Sequence, residues 1–173
     1  MPIKYYHLSD YPILPELYIQ EALNAKVEIS RRPVQYRAES TFKNSNFFKQ
    51  IEQHFQKKCV AWYYITKPKT YFDWHVDANR NFAINWMIKE APGAGGFFRN
   101  PIEEVINPHI NPLIFDLEEI PYTLGKPTVL NTAFDHCVFN NSNETRIILS
   151  MSVSEIDFET GLTYLKTLQP ICY

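Results

Sequence analysis

The chain has 173 residues, with Lys+Arg 17 against Asp+Glu 19, a formal net charge of −2. That balance argues against a general nucleic-acid binder or a membrane-surface protein. With 45% apolar residues and 11 Tyr, 12 Phe and 3 Trp, the chain can bury a sizeable core, which excludes disorder as a description of the whole.

The three cysteines, Cys59, Cys137 and Cys172, form neither a CxxC pair nor an even framework, so no secreted disulfide scaffold is expected. The N-terminal stretch from Met1 to His7 lacks the apolar core of a signal peptide, and no run approaches the ~18 apolar residues of a membrane span. A soluble, cytoplasmic protein of one domain is therefore expected. Within it, 1–58 reads as a helical and extended support, 59–156 as a β-rich core and 157–173 as a C-terminal extension.

In chain order, Pro15 to Lys26 opens with Pro and Glu, as a first helical turn should. Val27 to Ala38 looks extended, with a break at Pro33. Ser45 or Asn46 can cap a second helix to about Lys57, with Phe48, Ile51 and Phe55 on one stripe. His54 on that helix has no nearby acid or cysteine and reads as a boundary residue.

From Cys59 onward, short β-branched and aromatic segments alternate with Pro, Gly, Asn and Asp: 59–66, 71–78, 82–90, 96–99, 113–117, 128–133, 136–141 and 145–154. That spacing predicts an antiparallel sandwich or barrel. Pro92 to Gly96 holds three of the five glycines and reads as a sharp turn; it matches no phosphate-loop pattern. Asn79-Arg80-Asn81 and Asn141-Ser142-Asn143 read as hairpin turns, and 100–112, with His109, as a long connection.

Alternation within these strands divides their side chains into two faces. In 72–77, Phe72, Trp74 and Val76 share one side, while Asp73, His75 and Asp77 share the other. In 82–88, Ala83, Asn85 and Met87 oppose Phe82, Ile84, Trp86 and Ile88. In the last strand Arg146, Ile148, Ser150 and Ser152 oppose Ile147, Leu149, Met151 and Val153. Faces carrying Ala, Asn, Met and Ser suit a cavity wall better than a fully wetted surface.

His75 and Asp77 offer an imidazole and a carboxylate, and His136 follows 136 − 75 = 61 residues later. Two histidines and one carboxylate with open positions form the facial triad of non-haem iron oxygenases, although Fe(II), Mn(II), Zn(II) and Co(II) suit these ligands alike. Arg146 lies 146 − 136 = 10 residues beyond His136, and hairpin pairing would set it beside that strand. Facing inward, its guanidinium requires an anion, which a dicarboxylate would supply bidentately.

The segments D-W-H-V-D (73–77), N-F-A-I-N-W-M-I (81–88) and H-C-V-F-N-N-S-N-E-T-R-I-I-L-S (136–150) resemble the Fe(II)- and 2-oxoglutarate-dependent oxygenases, nearest the prolyl and aspartyl/asparaginyl hydroxylase branches. The resemblance spans Tyr63 to Ser154. It implies a mainly β fold with N-terminal helices, a double-stranded β-helix (a cupin-like jelly roll) with the helices on its larger sheet. It further implies His75, Asp77 and His136 on iron, Arg146 on the distal carboxylate of 2-oxoglutarate, and Asn85 facing co-substrate or substrate. A tyrosine before the HxD pair is expected on 2-oxoglutarate; Tyr63 and Tyr64 are both available, on opposite faces, and position favours Tyr64. Thr128 and Asn131 are further lining candidates, and Trp62, Trp86 and Phe97 are options for an aromatic wall, though each aromatic suits a core equally. Asp135 is too close to His136 to share the ion, and Cys137 projects to the other strand face. Position 152 is Ser, where the nucleic-acid dealkylating branch carries a second arginine, so nucleic acid is not the expected substrate.

The implied activity is a hydroxylation driven by Fe(II), O2 and 2-oxoglutarate, acting on an amino acid, a peptide side chain or a small metabolite and releasing succinate and carbon dioxide. Two other readings of the same residues are a cupin-like metalloenzyme working without 2-oxoglutarate and a non-catalytic β-sandwich binding module.

Overall fold

The computed structural model describes residues 3–25, 35–78, 80–101 and 115–168. The expectations for His109 and the connection around it (102–112), Pro33, Asn79 and Cys172 lie outside them. Among the described residues there are ten strands: β1 Tyr5–His7, β2 Gln35–Glu39, β3 Cys59–Thr66, β4 Thr70–His75, β5 Ala83–Lys89, β6 Ala94–Pro101, β7 Phe115–Glu119, β8 Pro127–Leu130, β9 His136–Asn140 and β10 Arg146–Val153. They form a six-stranded sheet in the order β1-β8-β5-β10-β3-β2 and a four-stranded sheet in the order β4-β9-β6-β7. Every ladder is antiparallel. From β3 to β10 the chain crosses between the two sheets after strands β3, β4, β5, β7, β8 and β9, and only β6 and β7 form a direct pair, which is jelly-roll topology.

Two hairpin expectations are therefore corrected. β4 and β5 lie in different sheets, so the turn through Arg80 and Asn81 is a crossover. The same holds for β9 and β10: Arg146 does not pair with the strand of His136 but faces it across the sandwich, and its ladder partner is Thr66 of β3. The crossover after β9 is held by Asn140, whose amide donates to the Thr66 carbonyl at 3.1 Å and the Glu144 carbonyl at 2.7 Å while its oxygen accepts from Ser142. The side chain thus ties the crossing chain to the end of β3.

The outer face of the larger sheet carries the main core. Ile84, Trp86, Leu149, Met151 and Val153, predicted on one apolar face, are all fully buried. They pack with residues of α1 (Glu16–Leu23), a 3-10 turn (Thr41–Asn44) and α2 (Asn46–Phe55), among them Tyr18, Phe42, Phe47 and Ile51. Side chains of this size contribute about 1.5–3 kcal/mol each on full burial. Trp86, one option for a cavity wall, sits here instead, its ring 5.0 Å from Phe42 and 6.0 Å from Phe47. The helix α2 begins at Ser45, whose hydroxyl accepts from Phe48 N at 3.1 Å.

A third helix, α3 (Phe158–Thr167), occupies part of the 157–173 stretch read only as an extension. Asp157 caps it by accepting from Thr160 N at 2.9 Å. Its Gly161 rests on the fully buried Phe82 ring so closely that a Cβ there would lie 2.4 Å from Phe82 Cδ2.

A candidate metal centre beside an arginine pocket

The two candidate histidines are brought together by a slip in one ladder. Phe72 pairs with Val138 and His75 with His136, three steps along β4 against two along β9, so β4 carries one extra residue between them. The bulge puts Phe72 and His75 on the same interior face, their rings 4.3 Å apart. The predicted opposition of His75 to Phe72 is thereby corrected, because a strict period of two cannot survive an inserted residue, while the predicted grouping of His75 with Asp77 holds. Asp77 lies beyond the end of β4, in the crossover, with its backbone N–H donating to the Thr132 carbonyl at 3.1 Å.

Donor atoms of His75, Asp77 and His136 all lie within 4.8 Å of one another. His75 Nδ1 lies 2.6 Å from the Asp73 carbonyl and His136 Nδ1 lies 2.9 Å from the Phe134 carbonyl. A carbonyl can only accept, so each Nδ1 carries the proton and each Nε2 keeps its lone pair for an ion. His75 Nε2 stands 3.7 Å from Asp77 Oδ1. Burial lowers the pKa of His136, with the neighbouring His75 working in the same direction, and this favours the neutral imidazole that a metal ligand must be. The donor types and their free lone pairs fit a divalent transition metal.

Tyr64, Phe72, Asn85, Thr132, Ile148 and Ser150 are among the residues that line the small cavity, about 60 Å³, around these three side chains. Of the two candidate tyrosines, Tyr64 lines it, whereas Tyr63 is fully buried on the helix side and donates to Glu21 Oε2 at 2.6 Å. Burial pushes the Tyr63 pKa up, and that bond to Glu21 adds to the rise. Asn85 lines the cavity and donates to the Tyr122 hydroxyl at 3.2 Å. Thr128 and Asn131 do not line it: Thr128 Oγ1 is 3.2 Å from His7 Nδ1, and Asn131 donates to the Ile3 carbonyl at 3.4 Å. Their β8 and post-β8 neighbours Leu130 and Thr132 line it instead. The aromatic wall consists of Tyr64, Phe72 and Tyr122. Trp62 meets Arg37, and Phe97 stacks on Phe139, so neither joins that wall. Asp135 pairs with Arg99 and stays out of the triad, and Cys137 is buried.

Arg146 is 2% exposed, and its Nη1 is buried with no hydrogen-bond partner. Burial pushes its pKa down and Tyr122 opposes that, yet a guanidinium stays charged. It lines a neighbouring pocket of about 460 Å³ with Met87, Glu90 and the β5–β6 turn. Ile120 and Tyr122 border both cavities and separate Arg146 from the three clustered side chains. A buried guanidinium with one unsatisfied nitrogen in one cavity and a donor set in the next fit a ligand that is anionic at its far end.

Tyr122 and Arg80 at this site escaped sequence reasoning. Arg80, read as part of a turn, donates from Nε and Nη2 to Asp77 Oδ2 at 3.0 and 2.5 Å, and from Nη1 to the Tyr64 hydroxyl at 3.0 Å. Its one signal was a basic residue three positions after the carboxylate, which is ordinary in any polar turn.

No protein-family model and no curated protein sequence matches the chain. Solved structures do resemble it. An oxidoreductase of the 2OG-Fe(II) oxygenase family from Burkholderia pseudomallei superposes with a TM-score of 0.59 at 11% identity, covering 91% of this chain and 87% of that one. A prolyl-4-hydroxylase from Pseudomonas putida gives 0.56 at 13% identity, covering 88% and 93%. HygX from Streptomyces hygroscopicus, solved with nickel, 2-oxoglutarate and hygromycin B bound, gives 0.59 at 5% identity, covering 87% and 82%. The chain thus has the jelly-roll fold of the 2-oxoglutarate- and Fe(II)-dependent oxygenases. No helix among the described residues is long and apolar enough to cross a membrane.

Proposed function

We propose that the chain is a non-haem Fe(II)- and 2-oxoglutarate-dependent dioxygenase. In this reading it hydroxylates a C–H bond of an amino acid, a peptide side chain or a small metabolite, and nucleic acid is not its substrate. The observation that carries the reading is the convergence of two imidazoles and one carboxylate inside a jelly roll whose interior also buries a guanidinium with its Nη1 left without a hydrogen-bond partner.

His75 and His136 would hold the metal through Nε2 and Asp77 through Oδ1. Fe(II) with O2 and 2-oxoglutarate supplies the oxidising power for an unactivated C–H bond, with succinate and carbon dioxide as co-products. Arg146 would bind the distal carboxylate, an interaction strengthened by its exclusion from water. Asn85 and Tyr64, which line the cavity, would orient the ligand with polar contacts, while Phe72, Leu130 and Ile148 would keep the cavity dry.

The test is anaerobic addition of Fe(II) and 2-oxoglutarate to the metal-free protein, followed by visible absorption. A charge-transfer band that appears in the wild type and is lost in His75→Ala supports the proposal; its absence from the wild type sinks it. The partition formed by Ile120 and Tyr122 favours a second reading, a cupin-like metalloenzyme that uses the triad without 2-oxoglutarate. In that case the metal binds but the band never forms, and Arg146→Ala changes nothing.

A further inference from the structure

We infer that Arg80 is a positioning residue that restricts Asp77 to one metal-binding oxygen and couples that carboxylate to Tyr64; the inference rests on the reading that the triad holds a divalent metal. The two carboxylate oxygens of Asp77 face different partners. Oδ1 looks toward His75 Nε2, 3.7 Å away. Oδ2 takes both N–H groups from one edge of the Arg80 guanidinium. The third contact, Nη1 to the Tyr64 hydroxyl at 3.0 Å, leaves the fork spanning the crossover and β3. The Arg80 side chain is 25% exposed and that of Asp77 14%, so water competes weakly for this pair.

The backbone keeps the fork in place. Thr132 accepts from Asp77 N with its carbonyl and donates its hydroxyl to the Arg80 carbonyl, so one residue ties down both ends of the turn. The guanidinium also lies 5.9 Å from the centre of the Tyr64 ring.

The chemical consequence concerns vacant positions. A six-coordinate ion with three single-atom protein ligands keeps three positions, enough for a two-atom chelate and one further molecule. Were Asp77 to bind through both oxygens, one of the three would be lost. Such binding would first have to break a charge-assisted fork, an interaction stronger than a neutral hydrogen bond. Lysine in this position could hold Oδ2 but could not span Oδ2 and Tyr64 with a planar fork.

The experiment uses Co(II) alone, without co-substrate or turnover, on the wild type, Arg80→Ala and Arg80→Lys. Binding is followed by the visible bands of Co(II), whose intensity reports coordination number. The expected result for Arg80→Ala is Co(II) affinity ~10–100-fold weaker and an altered band shape. Millimolar guanidinium should return the wild-type spectrum, and equal ammonium should not. Arg80→Lys should fall between the two, and serves alone if Arg80→Ala does not fold. Wild-type affinity and spectrum in a folded Arg80→Ala or in Arg80→Lys overturn the inference. Failure of the wild type to bind Co(II) overturns the functional reading beneath it, which is a separate outcome.

Discussion

The Tyr122 hydroxyl accepts a hydrogen bond from Asn85 Nδ2 at 3.2 Å while the Tyr122 ring lies 5.3 Å from the Arg146 guanidinium. One side chain therefore touches both cavities and stands between the metal-ligand cluster and its candidate anion anchor. A dicarboxylate that reaches from one to the other would compete with Tyr122 for Asn85 and Arg146. Tyr122→Phe removes the tether to Asn85, worth about 1 kcal/mol, and should tighten 2-oxoglutarate binding several-fold in an anaerobic titration. Weaker binding in Tyr122→Phe would mean that the hydroxyl contacts the co-substrate instead.

Arg146→Ala should move the other way. Loss of a charge-assisted carboxylate contact of about 1.5–3 kcal/mol weakens 2-oxoglutarate roughly ten- to a hundredfold. Melting curves provide the readout: 2-oxoglutarate with metal should raise the wild-type transition and leave the variant where metal alone puts it.

Metal removal should cost stability, because an ion held by His75, Asp77 and His136 would tie the end of β4 to the start of β9. At a free metal concentration of about 100 times Kd the stabilisation is ~2.7 kcal/mol, or roughly 5–10 °C in Tm at this chain length. EDTA should reverse that shift in the wild type. In Asp77→Ala no shift should appear in the first place.

Gly161→Ala tests the packing of α3. In an exposed helix this change usually stabilises by up to about 1 kcal/mol. Here the new methyl would meet Phe82, which is itself fully buried, so the expected outcome is a loss of ~1–3 kcal/mol in chemical denaturation. A gain would show that the ring can turn aside.

Asp157 gives a pH signature. Its bonds from the Thr160 backbone N–H and hydroxyl hold the folded-state pKa below the ordinary aspartate value. The cap therefore contributes in full above that ordinary value, ~3.9, and its contribution is lost as pH falls through the lower folded-state value. Asp157→Ala should cost about 1 kcal/mol near neutrality. Asp157→Asn should keep most of the cap while flattening this part of the stability profile.

Much of the arrangement was legible from residue order. The apolar faces of β5 and β10 follow a period of two where their ladder is unbroken, and the register slips only beyond it, between Ile147 and Ile148; Trp86 and Leu149 lie where alternation puts them. The ligand-like residues His75, Asp77 and His136 were recognisable by chemical type. What alternation could not reveal was the bulge, since an extra residue leaves no mark in composition, nor which sheet a turn leads to. Asn141-Ser142-Asn143 has the same composition in a hairpin as in a crossover, so Arg146 was assigned the wrong neighbouring strand. Arg80 and Tyr122 were hidden for a related reason: their roles depend on partners in other strands, Tyr64 and Asn85, which only the closed sandwich brings near.

The inserted residue between Phe72 and His75 gives β4 one residue more than its register with β9 requires. Deleting Asp73 or Trp74 would leave two steps along β4 against two along β9, a regular ladder in which Phe72 and His75 still share the interior face, so the candidate site should tolerate that loss. What the two strands must keep is the pairing of the imidazoles, and a one-residue bulge is one way of keeping it.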